Sequence, residues 1–366
     1  MTFIAGIDVH SKSCSFCIQK PNSEKVIASG EFETSSEAIR DFVRKNKLLP
    51  GTRVGLETGT TTIFVVRELA KAGLVPVVID AREVRRKARR TRQKDDARDA
   101  FEICDGLRRD IYVSKVVMPE GDIQRIRDLL TLRTHFVRLR SAEVLSLKSA
   151  LRKQGFGRLN VRLRNEKAFE TLAKIPELNS ELRDRIQAHQ RMFVAANNEV
   201  ILLDKQLREL SQNFAEQIEC LKTVPGVGAL VSLTCLAYYN NPSRFKNAKH
   251  AASYAGLVPT TYHSAERERF GHITKEGPRP LRTMLVEAAQ HARRKTHPLH
   301  KQYIRLAIRK GHNIAIVAMA HRLARICWAL LRDQKPFDAR LIVRGTKLSL
   351  KPKKASANKT LSLKTA

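Results

Sequence analysis

Phe3-Ile4-Ala5-Gly6-Ile7-Asp8-Val9 is an apolar run that delivers a carboxylate near its end. It reads as a buried β-strand. Ser13 to Ile18 turns it into a hairpin, and Lys25 to Glu33 continues as a third strand. Ser35-Ser36-Glu37 opens a helix. Val54-Gly55-Leu56-Glu57 is a second apolar run ending in an acid, followed by a helix from about Thr61 to Ala72 and a strand from Leu74 to Ile79. Three hairpin strands followed by alternating helix and strand predict an α/β domain, a mixed sheet with helices on its faces, to about residue 117.

Further acids follow in Lys94-Asp95-Asp96-Ala97-Arg98-Asp99. Asp96 and Asp99, three apart, share one helix face. Asp95 and Asp99, four apart, share one as well, so spacing leaves the choice between Asp95 and Asp96 open. An acid at each of two strand ends plus two on a nearby helix makes an oxygen cage for two divalent cations, Mg²⁺ or Mn²⁺. Such a site activates a nucleophile and stabilises the leaving oxygen in phosphodiester chemistry. Pairing with nearby arginines is the competing account of these acids. For Asp8, at the end of an apolar strand, an unpaired carboxylate would be costly, which favours coordination. The order of strands and acids is that of the ribonuclease-H-like (RuvC-like) architecture, with acids on the first strand, on the next strand after a helix, and on a late helix.

The acids sit in a chain with 68 Lys and Arg against 36 Asp and Glu, a net charge of +32. A field of this size attracts polyanions, and each neutralised phosphate releases counterions. Ile314 to Leu331 is the longest apolar helix candidate, but it carries His321, Arg322 and Arg325 and reads as a core helix, so no membrane partner is expected. Met1-Thr2-Phe3 shows no signal-peptide pattern, which predicts a cytoplasmic, nucleoid-associated protein. Cys14 and Cys17 form a lone C-x-x-C with no second pair to complete a zinc site.

Arg82 to Lys94 holds eight cationic residues in thirteen and runs straight into the acid pair. A solvated basic helix would look the same. Its position favours a phosphate-gripping strap beside the metal site, with Arg85, Arg86, Arg89 and Arg90 as its contacts.

The chain then becomes helical, over a region assigned to residues 118–218. Leu130, Val137, Val144 and Leu151 recur every seven residues, and Val200, Leu203, Leu207, Leu210 and Phe214 follow a 3-4-3-4 spacing. These are coiled-coil-like seams. They can pair within one chain or join two subunits, and dimerisation is the expectation. A third, mainly α region spans 219–340. In it, Leu221-Lys222-Thr223-Val224-Pro225-Gly226-Val227-Gly228 before an apolar helix from Ala229 to Tyr238 fits a helix-hairpin-helix. Gly226 and Gly228 would let backbone N–H groups approach a phosphate, although a tight inter-helix turn reads the same way. Glu266 to Phe270 reads as a polar, basic loop, and Pro280-Leu281-Arg282 opens a helix. The tail, 341–366, has seven Lys or Arg and no acid, and reads as a disordered polyanion-binding extension.

Six motifs in order now carry a resemblance: the Gly-Ile-Asp strand, Leu-Glu-Thr-Gly, Asp-x-x-Asp-Ala, Val-Pro-Gly-Val-Gly, Ala-Gly-Leu-x-Pro, and Gly-x-Ile-x-Lys-x-Gly followed by Leu-Arg. The chain resembles the DEDD transposases of insertion sequences guided by a bridge RNA, relatives of the Piv-type DNA invertases, from about residue 3 to residue 340. The resemblance implies that Asp8, Glu57, Asp96 and Asp99 are the metal ligands, with Asp95 where the family usually has Thr. It also implies a serine nucleophile that becomes joined to DNA, here Ser264, followed by Ala265 in place of the usual Gly. Lys275, Arg279 and Arg282 are then expected to contact the DNA backbone. The implied partners are donor DNA, target DNA, a bridge RNA and further copies of the chain in a dimer or tetramer.

Tyr254 and Tyr262 are the rival nucleophiles. The alternative function is a metal-dependent junction resolvase in which the acids cut with water. A non-enzymatic nucleic-acid scaffold is the third.

Overall fold

In a computed structural model of the chain, the first apolar run is strand β1 (Ile4–Val9) in the middle of a six-stranded sheet. The structure describes residues 3–87, 95–113, 115–159, 161–264 and 267–340. They fall into two units, divided between Pro119 and Glu120.

In the first unit β1 pairs antiparallel with β2 (Ser13–Lys20), which pairs antiparallel with β3 (Ser23–Glu33). Helix α1 (Ser36–Lys45) starts where Ser35 Oγ accepts the Ala38 N–H, the expected cap. The chain returns as β4 (Arg53–Glu57), parallel to β1, and after α2 (Thr62–Lys71) as β5 (Val75–Ile79), parallel to β4. Helices α3 (Ala81–Lys87) and α4 (Asp96–Arg108) follow, and a short β6 (Lys115–Val116), with no signature in the sequence, closes the order β3-β2-β1-β4-β5-β6. Alternation sorts the strands' side chains between two layers. Ala5, Ile7, Val54 and Leu56 bury against Ile39 and Phe42 of α1 and Val65 and Leu69 of α2. Ile4 buries on the other side with Ala100, Cys104 and Leu107 of α4. Cys14 belongs to the first layer and Cys17 to the second. The two thiols therefore face opposite ways and share no metal.

The second unit is mostly helical. Helix α5 (Gly121–Lys153) and helix α7 (Ser180–Ser211) pair within the one chain. They run antiparallel, because Arg133 bonds Asp204, Arg140 bonds Asn197 and Glu143 bonds His189. The seam residues Leu130, Leu151, Val200, Leu203 and Leu207 are buried by this pairing and its flanking cores, so a second subunit would have to use other residues. Around α6 (Glu166–Ala173) the far end of the pair has its own small core of Leu147, Leu151, Phe169, Leu172, Leu182, Ile186 and Phe193.

Then come α8 (Ala215–Lys222), α9 (Ala229–Tyr239), α10 (Ala248–Tyr254), the hairpin β7 (Pro259–Ser264) and β8 (Arg267–Ile273), α11 (Arg279–Ala289), α12 (His300–Lys310) and α13 (His312–Asp333). Most of the stretch read as a polar loop from Glu266 to Phe270 is therefore strand. A two-stranded ribbon has little apolar face to bury, so its charged sequence carries no alternation to read. Helix α13 is long and apolar enough to cross a membrane by length and composition. Its Ile316, Met319, Leu323, Cys327 and Trp328 are instead buried in the core of this unit, together with the roots of α5 and α7.

Candidate active site

Gly6 and Asp8 lie on the same face of β1, and Gly55 and Glu57 on the same face of β4, because side chains alternate along a strand. The glycines explain how α4 comes so close. A Cβ on Gly6 would stand 2.4 Å from the Cys104 nitrogen and 2.5 Å from the Ala100 oxygen, and one on Gly55 would stand 2.9 Å from Ile103 Cγ2. With its backbone laid on β1 and β4, α4 presents its first turn, which carries Asp96 and Asp99, to the strand ends. Carboxylates in the first turn also suit the positive end of the helix dipole.

Asp8, Glu57 and Asp99 line a cleft of about 530 Å³ together with His10, Arg85 and Glu102. Asp96 joins from the side through His10, whose Nε2 lies 3.2 Å from Asp8 Oδ2 and 3.4 Å from Asp96 Oδ2. Burial pushes the Glu57 carboxyl above its usual range; the Arg85 guanidinium pulls it down, and Asp8, Asp99 and Asp80 push it up again. Arg85 Nη2 is 3.9 Å from Glu57 Oε1, and its side chain is 76% exposed, so it compensates only weakly. Crowded carboxylates under this tension, with a solvent-shielded His10 nitrogen lacking a well-formed hydrogen bond, fit a hard divalent cation such as Mg²⁺ or Mn²⁺.

Asp95 is used differently. It is the N-cap of α4, and its Oδ1 accepts the Ala97 N–H at 3.1 Å. A threonine at that position would cap in the same way. Asp96 and Asp99 are left as the helix's two carboxylates in its first turn.

Beside the cleft, α3 is anchored through buried Glu83, which accepts from Lys87 Nζ at 3.1 Å and from the Val113 N–H at 2.9 Å. Arg85 and Arg86 stay exposed on this helix. Arg89 and Arg90 lie outside the described residues.

In the second unit the Pro225–Gly228 turn joins α8 to α9. Gly226 has a left-handed φ of +87°, and a Cβ there would stand 2.9 Å from the Ala288 oxygen, so its close approach is to α11. Gly228 caps α9 with open space around it. The turn is held from behind by buried His297. Its Nδ1 accepts the Leu299 N–H, so its Nε2 donates to the Pro225 oxygen at 3.0 Å. Phe337 N–H donates to Thr223 Oγ1, tying Pro336-Phe337-Asp338 to the start of the same turn.

Ser264 is the last residue of β7; its side chain, like that of Tyr262, lies outside what is described. The ends of the hairpin are fixed where Thr274 N–H donates to the Val258 oxygen and Lys275 N–H to the Gly256 oxygen. Arg282 staples this crossing, donating from Nη1 to the Ala255 oxygen at 3.2 Å and the Glu276 oxygen at 3.4 Å. Lys275 and Arg279 are exposed. Tyr254 packs with Tyr239 and Phe245 and lies under the Arg244 guanidinium, 4.5 Å from its ring centre.

His10 and Glu102 are cleft residues that the sequence did not single out. The signal of His10 was its closeness to Asp8, two residues on in the sequence.

A family model described as "Transposase", of the DEDD type named for IS110, matches residues 5–155. A second, "Transposase IS116/IS110/IS902 family", matches residues 218–305. The chain is 27% identical over 307 residues to a probable family 20 transposase of Pseudomonas aeruginosa, covering 80% of this chain and 87% of that protein. It is 27% identical over 256 residues to the transposase for insertion sequence element IS1111A of Coxiella burnetii, covering 67% and 68%. It is 28% identical over 151 residues to a pilin gene-inverting protein of Moraxella lacunata, covering 40% and 47%.

Proposed function

Because this chain belongs to the IS110/IS116 family of DEDD transposases, we propose that it moves its insertion sequence by strand transfer at divalent cations held by Asp8, Glu57, Asp96 and Asp99, with Ser264 as the nucleophile. Transposition and DNA recombination are the activity of the family; the cation, the serine and the guide are our reading. Its main support is that carboxylates from two central strands and one helix converge on a single cleft.

We read the first unit as a ribonuclease-H-like domain, on the strand order β3-β2-β1-β4-β5-β6 and on acids at the ends of β1 and β4 and the start of α4. Bound divalent cations would supply Lewis acidity at the scissile phosphate and charge for the leaving oxygen. The chain's own residues do the rest. Asp8 and Glu57 are held rigidly by strands, and Asp99 by a helix seated on them. Arg85 and Arg86 stand beside the cleft to position the phosphate backbone without reading bases. Ser264 Oγ attacks phosphorus in line. The Oγ–P bond forms as the bond to the departing strand breaks, the hydroxyl proton passes to a base, and the released strand oxygen takes up a proton. The phosphoserine conserves a phosphodiester for rejoining to a second DNA.

By resemblance, a bridge RNA pairs with donor and target. The protein then reads duplex shape and backbone, which suits a charge of +32. Homo-oligomers are part of this reading. The outward-facing Leu132, Leu139, Leu145, Met192, Ile201 and Leu202, each between 38% and 68% exposed, are the large exposed apolar residues of the α5–α7 pair left for another subunit.

The test is a denaturing gel of purified protein with Mg²⁺, its RNA and labelled donor and target DNA. A protease-sensitive protein–DNA adduct is expected, lost in both Ser264→Ala and Asp8→Ala. Free cut ends without an adduct, unchanged by Ser264→Ala, would instead identify a hydrolytic nuclease of the junction-resolvase kind.

A further inference from the structure

We propose that His10 is itself a ligand of the cation bound by Asp8 and Asp96, and that its nitrogen tilts the site from Mg²⁺ toward Mn²⁺. The proposal rests on the metal reading above and goes one residue beyond the four acids. His10 follows Asp8 by two positions, just past the end of β1 at Val9, and both side chains line the cleft. The imidazole body is 40% exposed, yet its Nε2 is shielded from solvent. That nitrogen lies 3.2 Å from Asp8 Oδ2 and 3.4 Å from Asp96 Oδ2 without making a hydrogen bond of acceptable geometry to any described residue.

Convergence without hydrogen-bond alignment is what donors to a common ion show. Neighbouring ligands of an octahedral ion with bonds of about 2.1 Å stand about 3 Å apart, close to both separations. The three donor atoms, from His10, Asp8 and Asp96, all fall within 4.8 Å of one another. A neutral imidazole offers one lone pair, here from Nε2, with its proton on Nδ1. A nitrogen donor matters for selectivity. Mg²⁺ prefers an all-oxygen shell, whereas affinity for nitrogen rises across the first-row metals, beginning with Mn²⁺. Glu57 and Asp99 line the same cleft and remain as further oxygen donors.

The experiment uses the full chain, without nucleic acid, and MnCl₂ as the probe. Electron spin-echo modulation of bound Mn²⁺ is expected to show a directly coordinated ¹⁴N that disappears in His10→Ala. By titration, His10→Ala is expected to weaken Mn²⁺ binding about tenfold and Mg²⁺ binding by less than about threefold. Mn²⁺ that binds in an Asp8-dependent way but shows no ¹⁴N coupling would overturn His10 as a ligand and leave the carboxylate site standing. Equal weakening of Mn²⁺ and Mg²⁺ would overturn the selectivity. Mn²⁺ binding unaffected by Asp8→Ala and Asp96→Ala would overturn the metal reading itself, and with it this one.

Discussion

At the start of α4, neighbouring aspartates have different roles. Asp95 caps the helix, while Asp96 faces His10 and Asp8. Asp95→Thr should therefore leave strand transfer close to that of the wild type, and Asp95→Ala should cost about 1 kcal/mol in denaturant unfolding. On the proposed reading, in which its charge would hold a cation and not the fold, Asp96→Asn should lower strand transfer at least a hundredfold with little change in unfolding. Glu57 yields a prediction with a sign. Its carboxyl is held above the usual range mainly by burial. As pH rises from about 4 the unfolded chain ionises first, so metal-free protein loses stability until the folded carboxyl ionises as well. Glu57→Gln should then melt higher than the wild type in EDTA at pH 7, with the difference gone near pH 4. The acids were legible because each ends an apolar run or shares a helical face. The choice between Asp95 and Asp96 was not, since three- and four-residue spacings serve equally well. The cap hydrogen bond of Asp95 and the approach of Asp96 to His10 distinguish them.

Among the elements, the contact of α4 with β1 sets the site. Gly6→Ala forces a methyl group into the α4 backbone, where no flexible side chain can yield, and should destabilise the protein by about 3 kcal/mol in urea unfolding. The turn between α8 and α9 depends on pH through His297. Burial lowers the pKa of its imidazole, and protonating Nδ1 would break the bond from the Leu299 N–H. Its contribution to stability is full above the ordinary histidine pKa of about 6.5 and is lost as pH falls below it toward the depressed folded value. Thermal melts should therefore show a larger loss between pH 7.5 and pH 5.5 for the wild type than for a His297→Gln variant. The mixed sheet could be read in advance from its hairpin and alternating segments, with β2 and β3 each two residues longer than read, and α1 opens at Ser35 as its sequence suggests. Hairpin β7–β8 could not, because Thr, His, Arg and Glu over its strands give no apolar alternation to read, and β6 is too short to carry a period.

Across the whole molecule, charge governs affinity. With a net charge of +32, DNA binding should fall steeply with salt, and Arg85→Ala or Arg86→Ala should each reduce the slope of log K against log salt by about 1, for any sequence. Association between copies should depend on the outward apolar residues and not on the seams. Leu139→Asp with Ile201→Asp should lower the mass found by light scattering while leaving the helical content unchanged. The heptad spacing revealed the seams but not their partner, since intrachain and intersubunit pairing bury the same residues. The antiparallel pairing has a further outcome for how such chains can vary. Helix α5, with 33 residues, is a spar about 50 Å long, braced by α7 and closed at its far end by a separate small core. Any change of span must be made in both helices at once, seven residues opposite seven, or the polar rungs Arg133–Asp204, Arg140–Asn197 and Glu143–His189 fall out of step. Matched additions would carry the tip core outward unchanged. The spar is thus a part whose reach can be tuned while the carboxylate cleft, lined by residues of the first unit, stays as it is.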